Sequence, residues 1–177
     1  MTSGTSLLDQ LKKIKAFVFD IDGVLTDGTV LLLENGLQAR RMNVKDGLAL
    51  QMALQKKYPV IIISGGASQP VIDRLRYLGI TEIHLGLKDK LKHLTSIINQ
   101  MNLEWSGVLY MGDDLPDLSV LREVGLACCP ADAVSEVIQI CTYISPKRGG
   151  EGCVRDVIEK VLKINNDWLT DSALRSI

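Results

Sequence analysis

Short apolar segments alternate with amphipathic segments along almost the whole chain, and this alternation is the strongest constraint on its fold. The short segments have the character of buried strands, and the amphipathic ones carry apolar residues at helical spacing. Such alternation predicts a Rossmann-like α/β fold, in which helices cover both faces of a mostly parallel sheet. The predicted strands are 14–20, 60–63, 82–85, 108–111, 126–128 and 142–144, and the predicted helices are 46–57, 69–78, 87–101, 116–122, 132–140 and 154–162.

An Asn-Gly pair at 35–36 lies between two segments with strand character, and this pair is the strongest short signal for a β-hairpin. We therefore expect a protruding hairpin over about residues 29–44. Its apolar run at 30–33 is too apolar for a free sheet edge. The chain of 177 residues suits a single domain. We expect its core at about 14–165 and a flexible C-terminal tail at about 166–177.

The charge of the chain is balanced, since 20 Lys and Arg residues oppose 21 Asp and Glu residues. This balance gives no electrostatic reason to expect a nucleic acid or an anionic membrane as a partner. The apolar runs are too short to span a bilayer, and the sequence near Met1 does not resemble a signal peptide. The four cysteines form no CxxC pair, and the two histidines lie too far apart in sequence to indicate a zinc site. We expect free thiols and a cytoplasmic protein.

Polar groups follow three of the predicted strands. They are Asp-Ile-Asp-Gly at 20–23, Ser-Gly-Gly at 64–66 and Gly-Asp-Asp at 112–114. Ligands of an open parallel sheet bind at the carboxyl ends of its strands, so these groups are expected to meet at one edge. Several carboxylates in one place need a cation to neutralise them, and hard oxygen ligands favour Mg²⁺ over zinc.

These side chains have the chemistry of phosphoryl transfer. Asp20 can attack phosphorus, and Asp22 can protonate the leaving oxygen and later activate water. The hydroxyl of Ser64 and the neighbouring backbone N–H groups of Gly65 and Gly66 suit a phosphate oxygen. Lys90, or alternatively Lys88, can offset the negative charge. Each signal alone has an ordinary structural explanation, as a turn, a helix cap or a solvated lysine, but their combination in this order indicates a site.

The sequence also resembles a known family. Asp-Ile-Asp-Gly-Val-Leu-Thr-Asp-Gly at 20–28, Ser64, Lys90 and Gly-Asp-Asp at 112–114 resemble the four motifs of the haloacid dehalogenase superfamily. This resemblance implies that Asp20 is the nucleophile and that Asp22 is the general acid and base. It further implies that Ser64 and Lys90 stabilise the phosphate and the nucleophile. Magnesium is then held by Asp20, the Asp22 carbonyl and Asp113, with Asp114 nearby.

Superfamily members usually carry a cap domain over the site, but this chain leaves no room for one. The interval between 22 and 64 is filled by the hairpin and one helix, and the interval between 64 and 90 by one helix and a short strand. A bare site would be open to water, so something else must cover it. We expect the hairpins of neighbouring chains to associate, so that each neighbour shields a site.

Three segments narrow the resemblance to one branch. Leu-Thr-Asp-Gly at 25–28, Val-Lys-Asp-Gly at 44–47 and Arg-Gly-Gly-Glu-Gly at 148–152 resemble the family of 3-deoxy-D-manno-octulosonate 8-phosphate phosphatases. The resemblance implies a small phosphorylated sugar acid as substrate, a homotetramer with sites completed by neighbouring chains, and a role in lipopolysaccharide precursor synthesis.

The substrate-binding residues are predicted less directly. Arg74 and Arg148 are candidates for the sugar carboxylate because a guanidinium group binds it bidentately. Gly149 and Gly150 belong to a glycine-rich segment that is expected to fold over the substrate. The alternatives are an ordinary surface position for Arg74 and a plain loop for the glycine-rich segment.

One departure from the family bears on the substrate. Many relatives resemble Thr-Gly-Arg or Thr-Gly-Glu at the second motif, whereas this chain has Ser-Gly-Gly at 64–66, so Gly66 supplies no side chain. Any sugar contact expected there must come from elsewhere. The alternative substrate is a nine-carbon ulosonate 9-phosphate, of KDN or N-acetylneuraminate, because this chain also resembles the phosphatases of such substrates, which have a similar Arg-Gly-Gly-Glu-Gly tail. A receiver-like signalling domain is the alternative of another class, although its lysine would follow the acidic groups instead of preceding two of them. A non-catalytic phosphosugar-binding protein is the second alternative of another class, although this chain has a suitable residue at every catalytic position of the family motifs.

Overall fold

The computed structural model describes residues 6–168 and has the predicted α/β architecture. The helices are α1 (Leu7–Lys13), α2 (Val44–Gln55), α3 (Gln69–Tyr77), α4 (Lys90–Gln100), α5 (Leu118–Leu121), α6 (Ser135–Ile140) and α7 (Cys153–Ile164). The strands are β1 (Ala16–Phe19), β2 (Leu31–Leu32), β3 (Gln38–Ala39), β4 (Val60–Ile63), β5 (Glu82–His84), β6 (Val108–Met111), β7 (Leu126–Cys129) and β8 (Tyr143–Ile144).

Six strands form one parallel sheet in the order β5-β4-β1-β6-β7-β8. Side chains alternate across this sheet, as the pleat of a strand requires. Phe17 and Phe19 of β1 join a core beneath α2 and α7, while Val18 joins a second core on the opposite face, with Leu94 of α4. All four residues of β1 are buried, which explains why its sequence reads as a continuous apolar run.

The predicted hairpin forms, but its ladder is shorter than the predicted strands. Leu31 pairs with Ala39 and Leu32 with Gln38, in antiparallel register. The Leu33 N–H donates to the Leu37 carbonyl at 2.9 Å and so closes the turn around the Asn-Gly pair. The hairpin lies outside the main sheet, with its leucines exposed to solvent.

Capping side chains explain two of the departures from the predicted helices. Helix α1 was not predicted; it begins where the Ser6 hydroxyl accepts the Asp9 N–H at 3.2 Å, and it buries only Leu11. Helix α4 begins at Lys90 instead of residue 87, because the Asp89 carboxylate caps it by accepting the Lys92 N–H at 2.9 Å. These local hydrogen bonds set the start of each helix more finely than apolar periodicity does.

The chain after α7 packs against the domain as far as it is described. The Tyr58 hydroxyl donates to Asp167 at 2.9 Å, and the Arg155 guanidinium lies 4.4 Å from the ring centre of Trp168. Residues 169–177, which make up most of the predicted tail, lie outside the described residues. Between residues 6 and 168, no helix has the length and apolar character needed to cross a membrane. All four cysteines are free thiols, as predicted.

Candidate active site

A cleft of about 610 Å³ opens at the carboxyl ends of β1, β4 and β6. It brings together all the predicted catalytic and metal-binding residues and the two glycines of the second motif. Its wall includes Asp20, Asp22, Ser64, Gly65, Gly66, Lys88, Lys90, Asp113, Asp114 and Asp117. The parallel strand order accounts for this convergence, since β1 lies between β4 and β6 and all three end at the same edge.

Three carboxylates lie close together at the floor of the cleft. Asp20, Asp113 and Asp117 each place an oxygen within 4.8 Å of the others. Oδ1 of Asp113 is buried and has no hydrogen-bond partner among the described atoms. An unpartnered buried carboxylate oxygen next to two further carboxylates is the arrangement expected of a site for a hard cation.

Asp117 is the residue of this cluster that the sequence interpretation missed. Its Oδ1 accepts hydrogen bonds from the Lys90 ammonium at 2.6 Å and from the Tyr110 hydroxyl. Its Oδ2 accepts the backbone N–H groups of Asp113 at 3.0 Å and Asp114 at 3.3 Å. Both oxygens are thus occupied, so Asp117 organises the site while Asp20 and Asp113 have oxygens free for a cation. Its one sequence signal was its position four residues after Asp113.

Lys90, and not the alternative Lys88, lies next to the predicted nucleophile. Its ammonium group is 3.1 Å from Oδ1 of Asp20, and its side chain is 6% exposed. Burial lowers the pKa of Lys90, but the charges of Asp117 and Asp20 outweigh this effect and the pKa is raised. The lysine therefore carries its positive charge at neutral pH and offsets part of the negative charge around Asp20.

The carboxylates themselves are held in an unfavourable environment for ionisation. Burial, together with the charge of Asp117 and against that of Lys90, raises the pKa of Asp20 to about 6. Burial and the charges of Asp20 and Asp117 raise the pKa of Asp113 to about 7. One lysine thus does not balance the negative charge of three carboxylates. A divalent cation bound between Asp20 and Asp113 would supply the missing positive charge.

Two glycines permit the close packing of this cluster. Gly23 has φ +85°, and a Cβ at this position would overlap the Asp113 carboxylate. A Cβ on Gly112 would overlap the side chain of Asp117 in the same way. The close approach of the two motifs therefore requires glycine at both positions, Gly23 after Asp-Ile-Asp and Gly112 before Asp-Asp.

Ser64 directly follows β4, at the side wall of the cleft, and is 3% exposed. Its Oγ accepts the Gly66 N–H at 3.2 Å, which leaves the hydroxyl proton free to donate to a ligand. Asp114 is exposed, and its carboxylate caps the following turn by accepting the Leu115 N–H at 2.7 Å. It lies on the cleft wall without joining the three clustered carboxylates.

Asp22 makes an ion pair that the sequence did not indicate. Its Oδ1 accepts the Nε–H of Arg40 at 2.7 Å. Arg40 follows β3 of the hairpin, so the hairpin reaches the catalytic motif of its own chain.

The predicted substrate-binding residues outside the second motif do not line the cleft. Arg74 belongs to α3 and lines a second cavity of about 730 Å³ between this helix and the hairpin. The Arg148 Nε–H donates to Asp132 at 3.2 Å, and its side chain is 66% exposed. Gly149 and Gly150 are buried against the backbone of residues 23–27, where a Cβ on either would overlap main-chain atoms. The close packing against this backbone therefore explains why glycine occupies both positions, whether or not a substrate contacts them.

Comparisons of the sequence and of the structure with known proteins point to the same family. The model of the haloacid dehalogenase-like hydrolases matches residues 76–158. The chain is 34% identical to the 3-deoxy-D-manno-octulosonate 8-phosphate phosphatase of Salmonella typhi over 89% of this chain and 84% of that protein. Its structure is similar to that of the corresponding phosphatase from Yersinia pestis, with a TM-score of 0.89 and 30% identity over 91% of this chain and 87% of that chain.

A further relative was solved with ligands. The 3-deoxy-D-manno-octulosonate 8-phosphate phosphatase of Moraxella catarrhalis, in complex with a magnesium ion, a phosphate ion and a KDO molecule, has a TM-score of 0.88 and 37% identity. The similarity covers 90% of this chain and 92% of that chain.

The parallel sheet, the acidic cleft and these similarities define a phosphatase of the haloacid dehalogenase type. Within that class, the chain belongs to the family of the 3-deoxy-D-manno-octulosonate 8-phosphate phosphatases. The alternative of a receiver-like signalling domain is thereby excluded.

Proposed function

We propose that this protein is a Mg²⁺-dependent phosphatase that hydrolyses 3-deoxy-D-manno-octulosonate 8-phosphate through an aspartyl-phosphate on Asp20. The observation that carries the proposal is the group of Asp20 and Asp117, which are buried, and Asp113, which is half-buried, at the edge where the strands end. The Lys90 ammonium lies 3.1 Å from Asp20. The named relatives share the fold over nearly the whole chain.

In the first step, an oxygen of Asp20 attacks phosphorus and the bond to the ester oxygen breaks. Asp22, two residues away on the same turn, gives its proton to the leaving alkoxide. Lys90 and the hydroxyl of Ser64 stabilise the negative charge of the transferring phosphoryl group. The free sugar acid leaves, and the phosphoryl group remains on Asp20.

In the second step, Asp22 acts as a base. It takes a proton from a water molecule, whose oxygen attacks the phosphorus of the aspartyl-phosphate. The bond between phosphorus and the Asp20 oxygen breaks, inorganic phosphate leaves, and Asp22 is again protonated for the next cycle. One carboxyl group thus serves both steps, as the reversal of acid and base roles requires.

Magnesium suits the donor set of this chain. Asp20 and Asp113 would hold the ion, because Asp113 has an unpartnered buried oxygen and Asp117 has none to spare. The backbone carbonyl of Asp22 and the carboxylate of Asp114 remain predicted as further ligands. When bound, the ion offsets the repulsion between the carboxylates and the phosphate oxygens.

The proposed assembly covers the cleft, which is open in the isolated chain. Leu31, Leu32 and Leu37 of the hairpin are 64%, 73% and 62% exposed, which is unfavourable for a free chain in water. We propose that hairpins associate in a homotetramer and that each site is completed by a neighbour. Arg74 and Arg148 remain candidates for the substrate carboxylate in that assembly, since neither lines the cleft of its own chain.

The function is tested by phosphate release from a panel of phosphorylated sugar acids and ordinary sugar phosphates, with Mg²⁺ and with chelator. Preference for the eight-carbon 8-phosphate, lost on chelation, is the expected result. Preference for a nine-carbon 9-phosphate would retain the mechanism and change the substrate. Absence of turnover on every compound would contradict the proposal. The free cysteines support a reducing compartment, and we propose the cytoplasm as the location and lipopolysaccharide precursor synthesis as the pathway.

A further inference from the structure

Arg40 is an arginine with a largely buried side chain on a mostly exposed hairpin. Its side chain is 9% exposed, whereas that of the next residue, Arg41, is 70% exposed. The two arginines point to opposite sides of the extended chain. Arg41 pairs with Asp27 at 3.0 Å, away from the acidic cluster, while Arg40 turns inward and pairs with Asp22 at 2.7 Å.

The environment of the Arg40 guanidinium excludes most water. It borders a cavity of about 10 Å³ whose lining also includes Asp22, Ser64 and Gly66. A space of this size holds about one water molecule at most. A largely desolvated guanidinium needs a charged partner, and Asp22 is the one ion-pair partner that residues 6–168 provide for it. The guanidinium is thus the largely buried member of the pair, whereas the Asp22 side chain is 40% exposed and lines the open cleft.

The two oxygens of Asp22 have different surroundings. Oδ1 accepts the Arg40 Nε–H, whereas Oδ2 faces Gly66. A Cβ at position 66 would lie 3.0 Å from Oδ2, so any larger residue would crowd this oxygen. Arg40 thus occupies one oxygen, and the missing side chain of Gly66 leaves the approach to the other oxygen open.

We propose that Arg40 is a positioning residue for proton transfer, which fixes Asp22 through Oδ1 so that Oδ2 exchanges the proton with the leaving oxygen and with water. The proposal rests on the role of Asp22 in the proposed function. In the first step the proton passes from Oδ2 to the alkoxide, and in the second step it returns to Oδ2 from the attacking water. Arg40 stays charged throughout and touches Asp22 instead of the reacting atoms.

The test compares Arg40→Met with Arg41→Met, which removes a neighbouring charge from the same hairpin but leaves Asp22 untouched. Two substrates are used: the eight-carbon sugar acid phosphate, whose alkoxide needs a proton to leave, and p-nitrophenyl phosphate, whose phenolate leaves without one. For Arg40→Met we expect kcat on the sugar acid phosphate to fall by about 10- to 100-fold with little change in KM, because misplacement of an acid–base group by a small distance has this effect.

On p-nitrophenyl phosphate the same variant should release about one nitrophenolate per site in a rapid burst, followed by slow turnover. Forming the aspartyl-phosphate from this ester needs no acid, whereas its hydrolysis still needs Asp22 as base. Arg41→Met should behave like the unmodified protein with both substrates, and Arg40→Lys should recover part of the lost rate. Sedimentation and thermal unfolding establish that both methionine variants are folded and assembled.

Three results would overturn the proposal. One is a nitrophenolate burst of Arg40→Met whose amplitude falls in proportion to the steady-state rate, because a smaller burst indicates fewer folded sites. Another is a raised KM with unchanged kcat, which would make Arg40 a substrate-binding residue. The third is an Arg40→Met variant that matches Arg41→Met. If the protein rejects the sugar acid phosphate but hydrolyses another alkyl phosphate, the substrate proposal fails, and the Arg40 comparison proceeds with that ester.

Discussion

At the scale of single residues, the site combines short-range motifs with one residue that the motifs do not reveal. Asp20 and Asp22 are two residues apart on one turn, and Ser64 follows the neighbouring strand β4, so the proposed roles follow from the order of these residues in the sequence. Asp117 acquires its role from hydrogen bonds with Lys90 and Tyr110, which come from other elements. The proposed chemistry therefore depends on a carboxylate that is not assigned a reacting role.

Replacing the nucleophile is the most direct test at this scale. Asp20→Asn should lower turnover by at least about 10³-fold, because an amide cannot form the phosphorylated intermediate. The side chains have nearly the same shape, so the fold should remain. Phosphate release measures the first effect and circular dichroism the second. A variant with near-normal turnover would show that Asp20 is not the nucleophile.

Asp117→Asn should destabilise the protein even without substrate. Whichever way the amide turns, its NH₂ group faces hydrogen-bond donors, either Lys90 and Tyr110 or two backbone N–H groups. Buried unsatisfied donors cost about 1–3 kcal/mol of unfolding free energy. Urea unfolding in chelator measures this loss.

Asp114→Asn is the matched control for Asp117→Asn, because Asp114 is the exposed acid of the same segment. Its change in unfolding free energy should stay within about 0.5 kcal/mol. Equal effects of the two substitutions would contradict the assignment of Asp117 as the organising residue.

At the scale of elements, the helices α2 and α7 are joined by a buried carboxylate. Asp46 of α2 is 1% exposed, and its Oδ1 accepts the Arg155 N–H in the first turn of α7 at 2.6 Å. Its Oδ2 is buried without a partner. The same part of α7 contacts the catalytic turn, because the Cys153 thiol donates to the Val24 carbonyl at 3.2 Å. The packing of α2 on α7 thus supports the loop that carries Asp22.

Asp46 gives the fold a pH dependence whose sign can be stated. Burial, opposed by the backbone N–H groups of Arg155 and Gly152, raises its pKa from 3.8 to about 6. A raised pKa in the folded state stabilises the protein while the carboxyl is protonated, and this contribution is lost as pH rises through about 6. Relative to Asp46→Asn, the natural protein should lose up to about 3 kcal/mol of unfolding free energy between pH 4 and pH 8.

The measurement is urea unfolding of both proteins across this pH range in chelator. The difference between the two curves isolates Asp46, since the other buried carboxylates are common to both proteins. Parallel curves would mean that Asp46 ionises in the folded protein as it does in the unfolded chain.

At the scale of the whole molecule, the exposed hairpin and the open cleft are the two features on which the proposed association of chains rests. Leu32→Glu should shift the sedimentation coefficient toward smaller species, because a charge in an apolar contact is left without a partner. Leu8→Glu in α1 is the control, because Leu8 is also exposed, at 50%, but belongs to another element. A natural protein that sediments as a monomer would contradict the proposed assembly.

The sequence determined most of the elements and the residue types at their ends, because both depend on local order. Strands 60–63 and 108–111 were predicted to the residue, since continuous apolar runs of this length are typical of buried parallel strands. Asp20, Asp22, Ser64, Lys90 and Asp113 converge because parallel strands end at the same edge. The family resemblance is shown by relatives that cover most of the chain.

The tertiary structure alone decided which distant groups meet. Arg40 and Asp22 are 18 residues apart, and Asp46 and Arg155 are 109 apart. No local period encodes such pairs, because they depend on how whole elements pack on one another. Packing likewise placed Gly149 and Gly150 against the backbone of the catalytic turn and Arg74 beside the hairpin, outside the cleft. Side-chain chemistry can be read along the chain, whereas its partners are fixed only when the elements come together.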